Sequence, residues 1–404
     1  MTVSANPPSH SERARSDGAE IVARLTAMIP ALRARGQDAE REGRIPADTI
    51  DELLAADVFR AVVPARFGGH EVEFRHIPRI FREIGKGCVS TAWAMGFLVY
   101  HNFQFAHFPE EAQQEVWGRG RGFTMAPGQV MPSGRAEAVE GGFRLSGHWG
   151  YATGILHGDW MLVSAPVVNA ETPNEIYRFY VPVSEFRVHD TWHVAAMRAT
   201  GSHDVELENA FVPAYRSVTV RELRSGASAG LTNNSGPLWR IPLLTFMSLG
   251  AVGPMVGAAE AMFEIVTGSL KSKVRAYSTE RAQQQMSTRV RLARIGARLA
   301  AMTALYESTI NQVEAIAGQG LASSQQERAE TRAFVSFIAS EARALVNELA
   351  LEAGSRANYL DSPVQRFQRD VNALATHALF DFDHTGDLYG QCLLDMNLPA
   401  GAMV

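Results

Sequence analysis

The spacing of apolar residues changes twice along the chain, and these changes limit the folds that the sequence can adopt. From Ala19 to about Trp117, apolar residues recur every three or four positions, which is the period of an amphipathic α-helix. After Gly122, short alternating runs bounded by Gly, Pro, Asn and His predict antiparallel β-strands. From Leu238 to Leu394 the helical period returns. We therefore predict a mostly α-helical protein whose central β domain forms an antiparallel sheet or a small barrel.

The domain boundaries follow from these changes of pattern and from loop composition. The predicted segments are a disordered lead-in over residues 1–18, a helical domain over 19–121, a β domain over 122–224, a linker over 225–236 and a helical bundle over 237–404. The lead-in is rich in Ser, Pro and Arg, and the linker is rich in Gly, Ser and Asn. Amphipathic helices such as the one through Ile295 and Leu299 indicate that the last segment is a bundle.

Charge, cysteine content and hydrophobicity exclude several classes of protein. A formal charge of -5 gives no basic surface for nucleic acid. Cys88 and Cys392 are the only cysteines, so we predict no disulfide framework, and no set of metal ligands with convincing spacing appears. The apolar segment 242–263 is interrupted by glycines and Pro254, which favours a buried helix over a membrane span. We therefore predict a cytoplasmic protein with no metal and no membrane or nucleic-acid partner.

Three motifs, in this order, resemble segments of the acyl-CoA dehydrogenase superfamily. The most specific is 192–205 (WHVAAMRATGSHDV), followed by FVP at 211–213, which is similar to the segment that closes the family's β domain. Residues 147–154 (GHWGYATG) resemble the strand that lines its flavin, and 275–278 (RAYS) lie where its first long bundle helix begins. The resemblance covers the chain from about residue 20. It implies an acyl-CoA dehydrogenase-like fold, with an N-terminal helical domain, a middle antiparallel β domain and a C-terminal four-helix bundle.

The residues after an Arg-Asp pair distinguish branches of this superfamily. Acyl-CoA dehydrogenases commonly place a Glu base shortly after that pair, whereas here Arg369 and Asp370 are followed by VNALATHALF, with His377 in the matching region. A His at this distance resembles the flavin monooxygenases of the fold, such as the oxygenase component of 4-hydroxyphenylacetate 3-hydroxylase, dibenzothiophene monooxygenase and the sugar nitrososynthases. Those proteins also keep a Ser or Thr that matches Thr153.

The resemblance implies the oxygenase component of a two-component flavin monooxygenase. Such a protein takes reduced FMN, or FAD as an alternative, and uses O2 to form a C4a-hydroperoxyflavin that hydroxylates an aromatic or polycyclic substrate. The Gly-x-Gly stretch from Gly85 to Gly87 lies between helical segments and no dinucleotide fingerprint follows a predicted strand, so no nicotinamide site is predicted. A separate NAD(P)H:flavin reductase is therefore expected as a partner.

Three residues carry the catalytic roles that the resemblance implies. His377 would supply a proton to the flavin peroxide or stabilise its negative oxygen, and Thr153 would hydrogen-bond the flavin N5 region. His101 would draw the proton from a phenol, because the pKa of an imidazole lies nearest to neutral pH. The alternative for both histidines is packing, His377 inside the bundle and His101 among the phenylalanines of 103–108.

The flavin-binding residues are predicted from the same motifs. Arg275 would bind the flavin phosphate, with Arg198 and Arg369 as rivals that could instead form ion pairs with Asp204 or Asp370. Trp149, Gly354 and Ser355 complete the predicted flavin-binding residues.

Trp149 would lie either against the flavin or beneath the sheet. Gly354 and Ser355 resemble a turn that contacts the flavin of a neighbouring chain, so with His377 they complete the cofactor site and imply a homotetramer.

Two other hypotheses remain at this stage. The chain could be an acyl-CoA dehydrogenase or oxidase that holds its own FAD, in which case its base lies on another helix. It could also be a catalytically silent scaffold protein, because a fold alone does not fix a function.

Overall fold

A computed structural model describes residues 10–170, 172, 174–226, 228–274, 280–399 and 401–404. The N-terminal part of the chain is helical, as predicted. Its two most buried helices span His76–Gly87 and Val89–Phe105. Its helices are α1 (His10–Glu42), α2 (Ala47–Ala55), α3 (His76–Gly87), α4 (Val89–Phe105) and α5 (Glu110–Gln113). The Gly85 to Gly87 stretch closes α3, and these two glycines pack against Pro254 and Leu32, so their role is helix packing.

The start of α1 corrects the predicted lead-in over residues 1–18. The helix begins at His10, and residues 1–9 lie outside the described part of the chain. Two contacts hold the N-terminal part of α1 against the rest of the fold. Asp17 bonds the His70 ring at 2.8 Å, and a Cβ on Gly18 would lie 2.5 Å from the His76 ring, which shows a close approach of the two elements.

The described residues of the β domain form a seven-stranded sheet, in the order β5-β6-β2-β1-β3-β4-β7. Its strands are β1 (Gly134–Val139), β2 (Gly142–Ala152), β3 (Trp160–Val167), β4 (Glu175–Pro182), β5 (Arg187–His189), β6 (His203–Pro213) and β7 (Ser217–Thr219). All pairings are antiparallel except that of β1 with β3. The register of β2 against β6 shifts between Trp149 and Ala152, and such irregularities re-aim a strand end. The shift lies directly before Thr153.

The C-terminal part is a helical bundle with α9 at its centre. After the short α6 (Val220–Ser225) come α7 (Leu243–Leu270), α8 (Met286–Gly318), α9 (Gln325–Ala353), α10 (Pro363–Leu374) and α11 (Phe382–Leu393). Helix α9 begins at a capping box, in which Ser324 and Glu327 satisfy each other's backbone N–H groups, and it packs against α7, α8, α10 and α11. The predicted linker 225–236 is held against the helices, since a Cβ on Gly230 would lie 2.1 Å from the Phe108 carbonyl oxygen.

Helix α7 is the apolar segment that the sequence analysis assigned to the interior. By length and composition alone it could cross a membrane, but 78% of its most apolar window is buried inside the fold. Its glycines are contact points with the N-terminal helices. A Cβ on Gly257 would lie 2.1 Å from the Arg82 carbonyl oxygen, and one on Gly253 would lie 2.8 Å from that of Pro78. The backbones of α7 and α3 therefore approach each other too closely for a side chain between them.

This contact gives a prediction about stability. We expect Gly257→Ala to lower the free energy of unfolding by about 1–3 kcal/mol, because α7 must move away from α3. Gly268→Ala, in the same helix, should be neutral or raise it by up to about 1 kcal/mol, because nothing lies within 4 Å of the new methyl group. Chemical denaturation of both variants checks the difference. Equal effects would contradict the assigned contact.

Candidate active site

Helix α4 carries a row of aromatic side chains on one face. Trp93, Phe97 and His101 are spaced four residues apart, so they lie above one another and cover roughly 12 Å along the helix axis. The ring centroids of Trp93 and Phe97 are 4.8 Å apart, and those of Phe97 and His101 are 5.7 Å apart. This row, Trp93, Phe97 and His101, is called the aromatic row below.

His377 lies at the other end of the aromatic row. It precedes a short 3-10 helix, Ala378–Phe380, and its ring meets Trp93 edge to face, with the centroids 5.3 Å apart. The structure therefore brings together His377 and His101, which are 276 positions apart in sequence, through two aromatic rings.

A backbone hydrogen bond fixes the tautomer of His101. The Nδ1–H donates to the Ala126 carbonyl oxygen at 2.6 Å, and a carbonyl can only accept. Burial lowers the pKa of His101 to about 4, although that hydrogen bond raises it, and the charge of Arg178 lowers it further. The ring is therefore neutral at physiological pH, and its Nε2 carries a free lone pair. This Nε2 is buried and has no hydrogen-bond partner among the described residues.

A different backbone hydrogen bond gives His377 the opposite tautomer. The backbone N–H of Leu379 donates to Nδ1 at 3.1 Å, so this nitrogen must be the unprotonated one. The pKa of His377 is lowered by the surrounding protein atoms and then by the positive charge of Arg332, although the residue is exposed in the single chain. The neutral ring therefore carries its proton on Nε2. His377 is a hydrogen-bond donor where His101 is an acceptor.

Thr153 is the first member of a chain of buried hydroxyl groups. Its Oγ1 is 2.9 Å from Ser202 Oγ, which is 2.7 Å from Thr200 Oγ1. The Thr200 hydroxyl donates to the Met197 carbonyl oxygen at 2.9 Å, which uses its single proton. Ser202 must then donate to Thr200, and Thr153 must donate to Ser202. The Thr153 oxygen is left with lone pairs only, so it can form a further hydrogen bond only as an acceptor.

The hydroxyl chain and the aromatic row meet at α4. Gly154, which follows Thr153, has φ +81, and a Cβ placed on it would lie 3.3 Å from the Leu98 side chain. Leu98 lies between Phe97 and His101 on α4, so Thr153, His101 and His377 all flank the same helix.

A buried carboxylate holds the segment that supports these hydroxyls. Asp370 accepts hydrogen bonds from the Met197 backbone N–H at 2.6 Å and from Ser90 Oγ at 3.0 Å. Burial raises the pKa of Asp370 to about 6, against the effect of these two hydrogen bonds. Met197 has φ 56, a left-handed conformation that is unfavourable outside glycine, and the Asp370 bond helps to hold it. Asp370 therefore positions the turn that carries Thr200 and Ser202.

The two arginines proposed as rivals for the flavin phosphate are occupied by other partners. Arg369 pairs with Glu40 at 2.6 Å, and the Arg198 Nε donates to the Glu40 carbonyl oxygen at 3.0 Å. The alternative prediction, that these arginines pair with Asp204 or Asp370, is wrong. Asp370 instead holds the turn described above, and Asp204 bonds His148 at 3.0 Å. Both arginines fasten α1 to the rest of the fold.

Trp149 and Arg275 do not join the site in the described structure. The Trp149 ring is fully buried in the core of the sheet and its N–H donates to the Ser164 carbonyl at 3.0 Å, which matches the alternative that placed it beneath the sheet. Arg275, together with the RAYS motif at 275–278, lies outside the described residues.

Gly354 and Ser355 line a surface cavity at the end of α9. The cavity measures about 270 Å³ and is also lined by Asn358 and Gln368. Gly354 has φ +72, and Lys273 donates to the Ala353 carbonyl beside it at 2.6 Å. The cavity lies at the C-terminal end of α9, whereas Arg332, whose charge lowers the pKa of His377, lies near the start of that helix.

Among the described residues, the carboxylate that follows His377 most closely in sequence has a structural role. The nearest candidate in sequence, Asp381, caps α11 by accepting the backbone N–H groups of Asp383 and His384 at 3.0 and 3.3 Å. The described residues beside α4 include two neutral imidazoles and a hydroxyl acceptor, which are groups that could hold a reduced flavin and take part in proton transfer beside it.

Comparison with known proteins identifies the class of protein. The N-terminal domain of acyl-CoA dehydrogenase matches residues 28–120 and its C-terminal domain matches residues 249–382. The FADH(2)-dependent resorcinol hydroxylase oxygenase component of Rhizobium sp. is 30% identical over 392 residues, which cover 94% of this chain and 95% of that protein. The oxygenase subunit HsaA of a flavin-dependent monooxygenase of Rhodococcus jostii is 28% identical over 91% of this chain and 96% of its own length.

A solved structure is similar over nearly the whole length. XiaF from Streptomyces sp., in complex with FADH2 and glycerol, has a TM-score of 0.90 and 27% identity and covers 98% of both chains. The chain therefore belongs to the oxygenase components of two-component flavin-dependent monooxygenases, on the acyl-CoA dehydrogenase fold, and it is an enzyme of that class.

Sequence motifs did not identify every residue of the site. Trp93, Ser202 and Arg332 were missed, although the spacing of four from Trp93 to Phe97 and His101 was visible in the sequence. Ser202 lies within the motif at 192–205 but was given no role, and Arg332 gave no signal, because the roles of both depend on contacts between distant elements.

Proposed function

We propose that this oxygenase hydroxylates a phenol, with His101 as the general base toward the phenol and His377 as the hydrogen-bond donor that stabilises negative charge on the oxygen that reacts. A bound reduced flavin would supply the activation of O2. The observation that carries the proposal is the pair of opposite tautomers, fixed by Ala126 and Leu379, at the two ends of the aromatic row.

The acceptor nitrogen of His101 supports a substrate with an acidic hydroxyl. Removal of the phenol proton makes the ring a better nucleophile, and the buried Nε2 is free to take that proton. The ring faces of Trp93 and Phe97 provide an apolar surface on which an aromatic ring packs. A named relative, the resorcinol hydroxylase, acts on a phenol.

Thr153 supports binding of the reduced form of the flavin. Its oxygen can only accept a hydrogen bond once its proton is given to Ser202, and reduced flavin carries a hydrogen on N5 whereas oxidised flavin does not. We therefore assign Thr153 as the acceptor for this N–H. The hydrogen bond would keep that proton in place and so slow the loss of hydrogen peroxide.

The form of the flavin is part of the proposal. The sequence analysis favoured reduced FMN with FAD as the alternative, but the names of the resorcinol hydroxylase and of the XiaF complex both specify FADH2. We propose FADH2 as the preferred form. Anaerobic titration with FADH2 and with reduced FMN tests this, and tighter binding of reduced FMN would reverse the assignment.

A reductase partner follows from membership in this class and gives the test of the proposed function. We expect the purified chain to leave NADH unoxidised, and to hydroxylate phenols when any enzyme that releases free reduced flavin is added. Product formation is followed by chromatography under air. Reduction of bound flavin by NADH without the second enzyme, or by an acyl-CoA, would contradict the proposal.

We further propose a homotetramer located in the cytoplasm. The cavity at Gly354 and Ser355 lies at the far end of α9, so it would serve the flavin of a neighbouring chain. Large apolar side chains near it are exposed in the single chain, including Leu351 at 79% and Leu360 at 73%. Light scattering should give four times the chain mass of 44.1 kDa. A mass of one chain at micromolar concentration would contradict this.

A further inference from the structure

A buried glutamine on α4 has no hydrogen-bond partner for either end of its amide. Gln104 is 1% exposed, and neither its Nε2 nor its Oε1 has a partner among the described residues. An unpaired polar group in the interior destabilises a protein, so nearly all buried polar groups in folded proteins are paired. The Gln104 amide therefore indicates a partner other than the described part of the chain.

Two other buried amides in this region are paired, which makes Gln104 an exception. Asn102, also on α4, donates to the Thr124 carbonyl oxygen at 2.8 Å and accepts from the Trp117 ring N–H at 3.1 Å. Gln113 donates to three backbone carbonyl oxygens at 2.8 to 3.1 Å, and its Oε1 accepts from an arginine at 2.6 Å. The fold thus satisfies its structural amides within the protein, and it leaves Gln104 unsatisfied.

The Gln104 amide lies beside the proposed base. Gln104 follows His101 by three residues and Phe97 by seven, so it continues the face of α4 that carries the aromatic row. Long side chains lean toward the N-terminus of their helix, which brings this amide back to the level of His101. The Cβ atoms of residues three apart are about 5–6 Å from each other, close to the span of a disubstituted benzene ring. One small aromatic ligand can therefore reach both side chains.

A hydroxyl group of α7 also lacks a partner in this region. Thr245 is 1% exposed, and its Oγ1 has no partner among the described residues. The next residue, Phe246, stacks on Phe103 with the ring centroids 3.8 Å apart, and Phe103 directly precedes Gln104. Helix α7 thus brings a further unpaired polar group to this part of α4. The His101 end of the aromatic row is therefore polar.

We propose that Gln104 binds a carboxamide of the substrate, which makes it a specificity-determining residue for a phenol that carries an amide group. A primary amide presents one donor and one acceptor side by side, so it forms two hydrogen bonds with the Gln104 amide. A carboxylate or a ketone has no donor for Oε1, so neither satisfies both atoms. The inference rests on the proposed function for the phenol end.

The test measures binding under anaerobic conditions with FADH2 present, so that no turnover occurs. Isothermal titration of the full chain compares 3- and 4-hydroxybenzamide with 3- and 4-hydroxyacetophenone, in which a methyl group replaces the amide nitrogen. We expect at least one amide to bind about 10- to 100-fold more tightly than its ketone, because the ketone leaves the buried Oε1 unpaired. Gln104→Met should bring that ratio to one or below. Gln114→Met replaces an exposed glutamine and should keep the parent's ratio.

Thermal unfolding separates a binding role from a structural one. Gln104→Met keeps a long, unbranched side chain and removes both unpaired atoms, so its Tm should equal or exceed that of the parent. Gln113→Met is the matched control and should lower Tm, because it leaves three buried carbonyl oxygens without their donor. A fall in Tm for Gln104→Met as large as that for Gln113→Met would show that the protein pairs this amide itself, which would overturn the proposal.

Three binding results would also overturn it. These are equal binding of each amide and its ketone, no measurable binding of either amide, and an amide preference that survives in Gln104→Met. The proposed function fails on different results. A parent protein that prefers the amides but hydroxylates no phenol retains the Gln104 site and loses the monooxygenase assignment for phenols. A parent that hydroxylates phenols but binds amides and ketones equally retains the function and loses the Gln104 site.

Discussion

His377→Asn should abolish most hydroxylation while leaving the fold intact. Asparagine is a good N-cap residue, so its side-chain oxygen can still accept the Leu379 N–H that His377 accepts at 3.1 Å. Its amide is too short to place a donor where the imidazole Nε2–H lies. Loss of one hydrogen-bond donor to a developing negative oxygen typically costs about 10²–10³-fold in rate. Reduced flavin should still be consumed, with hydrogen peroxide formed in place of product, and the ratio of the two is measured directly.

His384→Asn is the matched control for this variant. His384 lies in the first turn of α11, is exposed, and its backbone N–H rather than its ring makes the helix cap. It should keep the parent's ratio of product to peroxide. Rapid mixing with oxygen, with reduced flavin bound and no substrate, should give a weaker or shorter transient absorbance in His377→Asn only. If a folded His377→Asn protein matches the parent in both measurements, packing against Trp93 is the role of this residue.

The fold could be predicted well because its signals are local. The two changes of hydrophobic period mark the helical, β and helical parts. The motifs between 147 and 213 suggested the superfamily, and the domain matches over residues 28–120 and 249–382 confirm it. The features of the fold that could not be predicted depend on contacts between distant elements. Helix α1 extends back to His10 because Asp17 and Gly18 contact side chains near residues 70–76, and nothing in the local composition of 1–18 shows this.

The site could be predicted in part for the same reason. His377, Thr153 and His101 were visible through motif position, but the tautomers were not, because each depends on a backbone group that the fold places beside the ring. The arginine partners were misassigned because neighbours in sequence were taken as partners, whereas Glu40, more than 300 positions from Arg369, is the carboxylate that reaches it.

His101→Asn should also remove most hydroxylation, but at a different step. The asparagine amide can still donate to the Ala126 carbonyl, while its oxygen is far too weak a base to take a proton from a phenol. We expect a loss of about 10²–10⁴-fold in kcat with ordinary phenols. The oxygen-dependent transient seen without substrate should be unchanged, because the missing step follows it. With a phenol acidic enough to be ionised at the assay pH, most of the deficit should disappear, since no base is then needed.

His107→Asn tests whether burial alone explains such a loss. His107 lies on the same helix, its pKa is likewise lowered to about 4 by burial, its Nδ1 bonds Ser228 Oγ at 2.8 Å and its Nε2 has no partner among the described residues. Its ring contacts Phe103 rather than the aromatic row, so its replacement should cost stability without the selective loss on ordinary phenols.

Because the pKa of His101 is about 4, this ring is neutral across the neutral pH range in the parent protein. The parent's rate of hydroxylation should therefore not fall in that range from protonation of His101. An equal deficit of His101→Asn on ionised and un-ionised phenols would show that His101 shapes the pocket and does not move the proton.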